Sequence, residues 1–70
     1  MTEYEVFMYD DIWENETYET GIVIYTDASK PGLCEELNLD DPYKLDAFFQ
    51  DGVVYVDYEG KPYCELHKRE

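Results

Sequence analysis

The sequence predicts a small α+β domain spanning residues 1–70: an antiparallel sheet of about four strands, in the order β-β-α-α-β-β, with one or two short helices on one face. Three observations carry this. Seventy residues hold one core and leave no room for a second. Residues 3–9, 17–26 and 53–58 show the alternation and the Thr, Val, Ile and Tyr enrichment of half-buried strands. Between them, residues 27–52 carry capping and turn residues around short apolar stripes.

Each element has its own signal. In residues 3–9, Tyr4, Val6 and Met8 fall on one face, and Glu3, Glu5, Phe7 and Tyr9 on the other. Asp10 to Glu16 reads as a loop, and 17–26 as a second strand returning beside the first in a hairpin with a long tip. Gly21 marks a bulge or a close backbone approach in that strand. Ser29 is placed to cap a short helix with Pro31 in its first turn, Leu33 and Leu37 sharing a face and Cys34 beside them. Asp41-Pro42 signals a second helix start, with Leu45, Phe48 and Phe49 as its apolar stripe and Gly52 as its left-handed stop. Residues 53–58 follow as a strand, Glu59-Gly60 as a tight turn, and 61–66 as a fourth strand. Pro62 puts that last strand at an edge, or marks where it begins. The tail from His67 to Glu70 is expected to fray.

The charge is lopsided. Eighteen Asp and Glu oppose five Lys and Arg, for a net charge of −13. Small folded domains are comfortable at about 2–8 net charges, and beyond that self-repulsion costs stability. The acids are unevenly placed: residues 1–29 hold eight of them and no Lys or Arg, while the last ten residues are slightly basic. Hydrophobic residues make up 44%, which separates the chain from a disordered acidic tail. The negative charge argues against direct binding of nucleic acid or of an anionic membrane. No apolar run approaches the ~20 residues of a membrane helix. Met1-Thr2-Glu3 does not open a basic and then apolar leader, so no signal peptide is expected and the cytoplasm is the expected compartment.

The candidate partner-binding residues are Glu3, Glu5, Asp10, Asp11, Trp13, Glu14, Glu16 and Glu19. Glu3 and Glu5 share a strand face, so their Cα atoms stand about 6.6–6.8 Å apart, comparable with neighbouring phosphates on a nucleic-acid strand. The other acids continue the negative surface around the hairpin. Carboxylates at this spacing on a rigid sheet suit bidentate Arg contacts. Trp13 lies among the loop acids as an aromatic anchor, and the many Tyr residues suit a partner rich in Arg, which stacks on rings as well as pairing with carboxylates. The plain alternative is a solvated surface that keeps a Tyr-rich domain soluble.

Other chemistries fit poorly. Neither Asp10-Asp11-Ile12-Trp13-Glu14 nor Asp40-Asp41-Pro42 has the spacing of a calcium loop, so no metal or other cofactor is expected. Cys34 and Cys64 form no Cys-x-x-Cys pair and His67 stands alone, so no enzyme is expected. Both cysteines are expected in the core, with a disulfide between them left open. An exposed strand edge leaves monomer and homodimer both open.

In its shortness, its net −13, its acid-only first hairpin from Glu3 to Glu19 and its abundant Tyr, the chain resembles small acidic anti-defence proteins of bacteriophages, the DNA-mimic anti-restriction and anti-CRISPR inhibitors. The resemblance lies in composition, and no shared motif carries any residue over. It implies an inhibitor that occupies the nucleic-acid site of a basic protein in a bacterial host cell. Two other functions compete with it: an acidic immunity protein or antitoxin that neutralises a basic nuclease, and a non-catalytic interaction module whose acidity serves solubility.

Overall fold

In the computed structural model, which describes every residue except Asp11, Glu14, Asn15 and Glu70, five strands form one antiparallel sheet. The strands are β1 (Thr2–Tyr9), β2 (Thr17–Thr26), β3 (Leu45–Gln50), β4 (Val53–Tyr58) and β5 (Lys61–Lys68). A single α-helix, α1 (Lys30–Leu37), and a 3-10 turn at Pro42–Lys44 connect β2 to β3. Spatially the strands run β2-β1-β5-β4-β3, so the two terminal strands lie side by side in the middle. The connection through α1 therefore passes from one edge of the sheet to the other, and α1 touches both β2 and β3.

The expected α+β order β-β-α-α-β-β is thus corrected to a mainly β domain with one short helix. The error lies in residues 42–52. Asp41 caps and Pro42 opens a helical turn, as expected, with the Asp41 carboxylate accepting from the Tyr43 amide at 2.9 Å. The turn stops after Lys44, and Leu45–Gln50 continue as a strand. Leu45, Phe48 and Phe49 fit a helical stripe, but Leu45 and Ala47 also alternate with Asp46 and Phe48. Aromatic residues favour the pleated surface, and the Asp-Gly that follows decides between the two. Asp51 and Gly52 both have positive φ (54° and 79°), the signature of a two-residue type I′ hairpin turn. Gly52 turns a hairpin and does not end a helix.

Glu59-Gly60, with φ of 55° and 77°, makes the expected tight turn in the same way. Ser29 caps α1 as expected, its hydroxyl accepting from the Gly32 amide at 3.1 Å, and Leu33 and Cys34 are buried. Gly21 sits in a bulge, where three residues of β2 oppose Val6 alone; nothing approaches its backbone closely. Pro62 does not mark an edge, because β5 is the central strand. It is tolerated because β5 has just begun there: pairing with β1 starts only at Cys64, and the register with β4 shifts between Pro62 and Cys64. The tail does not fray at His67 and Lys68, which pair with Glu5 and Tyr4.

The core lies between the sheet and α1. Tyr4, Val6, Ile24, Leu45, Val54, Val56, Cys64 and Leu66 point from the sheet into it, and Leu33 and Cys34 meet them from the helix. Cys34 and Cys64 are both buried and free. No helix among the described residues is long and apolar enough to cross a membrane.

Candidate interaction surface

Because strand side chains alternate, filling one face of the sheet fixes the composition of the other. The second face is not covered by α1. Its residues follow from the register, since directly paired residues share a face. One row across it reads Glu19, Phe7, Glu65, Tyr55, Phe48 from β2 to β3. The next reads Val23, Glu5, His67, Val53, Gln50. Glu3 and Tyr25 pair below, and Asp57 and Asp46 pair on the far side. The face therefore carries six carboxylates, those of Glu3, Glu5, Glu19, Asp46, Asp57 and Glu65, interleaved with aromatic rings.

The rings are ordered against one another. Phe48 and Tyr55 stack at 5.1 Å between centroids, and Phe7 packs on the His67 ring at 4.2 Å. Glu65 lies between these two pairs with its side chain 18% exposed. One of its carboxylate oxygens accepts from the Tyr9 hydroxyl and the other contacts His67 Nε2, each at 3.1 Å. Burial, together with the charge of Glu65 and its hydrogen bond, pushes the Tyr9 phenol up to about 12. Tyr9 is thereby kept as a protonated donor that holds Glu65 in place. Arg69 lies 3.5 Å from Glu3 and compensates part of its charge. Lys30, on α1, reaches Asp46 at 3.7 Å; Lys44 lies in the 3-10 turn, and Lys61 and Lys68 lie opposite Tyr58 and Tyr4 on the core side of the sheet.

The residues expected to bind a partner divide between two places. Glu3, Glu5 and Glu19 are brought together on the open face. Asp10, Trp13 and Glu16 lie in the tip of the β1–β2 hairpin, and Asp11 and Glu14 fall outside the described residues. The tip is held from within. The Asp10 carboxylate accepts from the amides of Ile12 at 2.7 Å and Trp13 at 3.0 Å. These bonds to Trp13 and Ile12 hold the Asp10 carboxyl below the usual carboxylate range. The Asp10 amide donates to the Glu16 carbonyl, and the Glu16 amide to the Trp13 carbonyl. Trp13 is left 63% exposed on this fixed turn. Asp10 is therefore structural as well as charged.

Sequence reasoning missed half the face. Asp46, Phe48, Asp57, Glu65 and His67 come from β3, β4 and β5, and their period-two alternation was the signal that could have placed them, around Tyr55, beside Glu3, Glu5 and Glu19. Elsewhere, a shallow notch between β2 and α1 is lined by Tyr25, Thr26, Asp27, Gly32, Glu35 and Glu36. Among the described residues, no group of three His, Cys, Asp or Glu side chains is placed to hold a metal ion. Comparison with protein-family models, curated proteins and solved structures gives no match to the chain.

Proposed function

We propose that the chain is an acidic, nucleic-acid-mimicking inhibitor. In this reading it occupies the DNA- or RNA-binding surface of a basic bacterial defence nuclease or effector, of the anti-restriction or anti-CRISPR kind, in the cytoplasm of the host cell. The observation that carries the reading is the open face itself: six carboxylates on one face of a sheet, ring-lined, with ion pairs to Arg69 at Glu3 and Lys30 at Asp46 and, among the described residues, none to Lys or Arg at the other four. Glu3 and Glu5, which share β1, stand about 6.6–6.8 Å apart, and neighbouring strands lie about 4.7–4.9 Å apart. Arg side chains that normally grip phosphates can pair with such carboxylates and stack on Tyr55 or Phe48. Trp13 extends the contact as an exposed aromatic anchor. Charge steering makes such an association fast and strongly dependent on salt.

The test is capture from bacterial lysate on the tagged protein, followed by competition with duplex DNA and with RNA. A basic nucleic-acid-binding protein that is held in low salt, released by nucleic acid, and captured more slowly by Glu5→Lys and Glu19→Lys variants supports the proposal. A partner that nucleic acid does not displace, or no partner at all, overturns it. Glu5 and Glu19 are better probes than Asp10, whose replacement would also loosen the turn that presents Trp13.

A further inference from the structure

The outer edge of β2 borders the open face and exposes a different chemistry. Thr20–Thr26 is the longest uncharged stretch of a chain in which eighteen of seventy residues are acidic. The fold places this stretch on an edge strand. Natural proteins guard such edges with charged side chains, prolines, short strands or bulges, because the unpaired backbone groups would otherwise recruit another strand. Here the bulge around Gly21 spends itself before Val23, and Val23, Ile24, Tyr25 and Thr26 pair in regular register with Glu5, Tyr4, Glu3 and Thr2. Along this segment Ile22, Val23 and Tyr25 are 55%, 41% and 55% exposed. The opposite edge, β3, is shorter: it is six residues long and carries Asp46, met by Lys30 at 3.7 Å, beside the exposed Phe48 and Phe49.

We infer that the β2 edge pairs with the β2 edge of a second copy of this chain, extending two five-stranded sheets into one of ten strands. The charge pattern selects this occupant. A basic partner would be met by acids, and the chain has them to spare. An identical chain of net −13 can approach only where acids are absent, and Ile22–Thr26 is such a place. The regular part of the edge is Val23–Thr26, so an antiparallel pair related by a two-fold axis centres there. A pivot at Ile24 sets Val23 of one copy against Tyr25 of the other, both uncharged. Tyr25 and Val23 then pack across the seam on the open face, an aromatic and β-branched pair of the favourable kind.

Sedimentation equilibrium of the purified protein over a range of concentrations tests this. A dimer is expected, strengthening as salt rises to about 1 M, where the Debye length falls to about 3 Å and the net repulsion between copies is screened. Val23→Glu and Tyr25→Glu should return the protein to a monomer with its circular dichroism unchanged. Phe48→Glu, on the other edge, should leave the dimer intact. A wild-type protein that stays monomeric in high salt overturns the inference, as does a dimer lost in Phe48→Glu and kept in Val23→Glu. Capture of a basic partner by a strictly monomeric protein would refute the dimer and leave the proposed function standing.

Discussion

Replacing Asp57 by Asn should stabilise the fold while removing charge from its open face. Asp46 and Asp57 stand directly opposite one another on β3 and β4. Cβ atoms in such pairs are about 4.5–5.5 Å apart, which puts the two carboxylates roughly 6 Å from each other. The Asp46 side chain is 76% exposed, so the dielectric of water applies. Coulomb's law at ~6 Å in water gives about 0.7 kcal/mol of repulsion. Screening leaves about 0.6 kcal/mol of it in ~0.01 M salt and about 0.1 kcal/mol in ~1 M salt. Lys30, 3.7 Å from Asp46, offsets part of this, so ~0.6 kcal/mol is the ceiling on the gain. Urea unfolding of Asp57→Asn beside the parent protein should therefore show a stabilisation of about 0.5 kcal/mol in dilute buffer that fades with salt, with Asp57→Lys giving roughly twice as much. Tyr9 supplies a second readout. Burial, Glu65 and its hydrogen bond raise its phenol most, and Asp57 adds to them, so the variant should titrate Tyr9 lower than about 12. A variant that is destabilised in dilute buffer, or whose gain ignores salt, would show that Asp57 makes a contact the fold needs, and the account of this pair would be wrong.

Three further outcomes follow from the packing. Leu33, fully buried, is the main peg of an eight-residue helix, so Leu33→Ala should cost about 3 kcal/mol in urea unfolding, near the middle of the range for buried Leu truncations. Burial pushes the Cys64 thiol up to about 12 from its usual 9.0, with Glu65 adding to the shift. The unfolded thiol ionises first, so this contribution is complete below about pH 9 and is lost as pH climbs towards 12; by about pH 11 the loss should reach ~3 kcal/mol, and Cys64→Ala should flatten the alkaline slope. Trp13→Ala should leave the melting temperature within about a degree, since the ring is exposed, and should weaken capture of a basic partner several-fold; unchanged capture would remove Trp13 from the contact.

The first hairpin was legible because its signals agree. In residues 3–9 one period governs every side chain, and residues 17–26 are continuous in β-branched and aromatic residues, so both strands and the long tip between them fall where expected. Residues 45–50 were not legible because two periods fit them. Leu45, Phe48 and Phe49 satisfy a helical spacing, and the Asp41-Pro42 cap before them is real, but the stop that seemed to complete a helix is the Asp-Gly turn of a hairpin. Pro62 left an edge strand or a strand start open, and the second holds. A proline is excluded from a central strand only where its missing amide is needed, and the first residues of β5 precede its pairing with β1. As for the surface, the acids of β1 and β2 were visible locally, whereas Asp57 and Glu65 join them only through pairings between strands far apart in sequence.

The placement of the few cations bears on why so much negative charge is carried. A surface made acidic only for solubility mixes both signs, because interspersed Lys and Glu relieve repulsion. This chain uses lysines that way at Glu59, where Lys44 sits 3.5 Å away, and in part on the open face, where Lys30 reaches Asp46 from the helix. It nevertheless sets Asp46 opposite Asp57, and gathers Glu5 and Glu65 around His67. The Asp46–Asp57 arrangement costs stability that one Lys substitution would recover. Breaches of local pairing rules that persist without an internal benefit are characteristic of surfaces selected for contact with something else. Among the described residues no side-chain hydrogen bond or ion pair holds Asp57, and Glu65 is held in position by Tyr9, so the face gives up stability to keep its charge and orients part of it. That combination favours a docking surface over a solubilising one, and a basic partner over a neutral one.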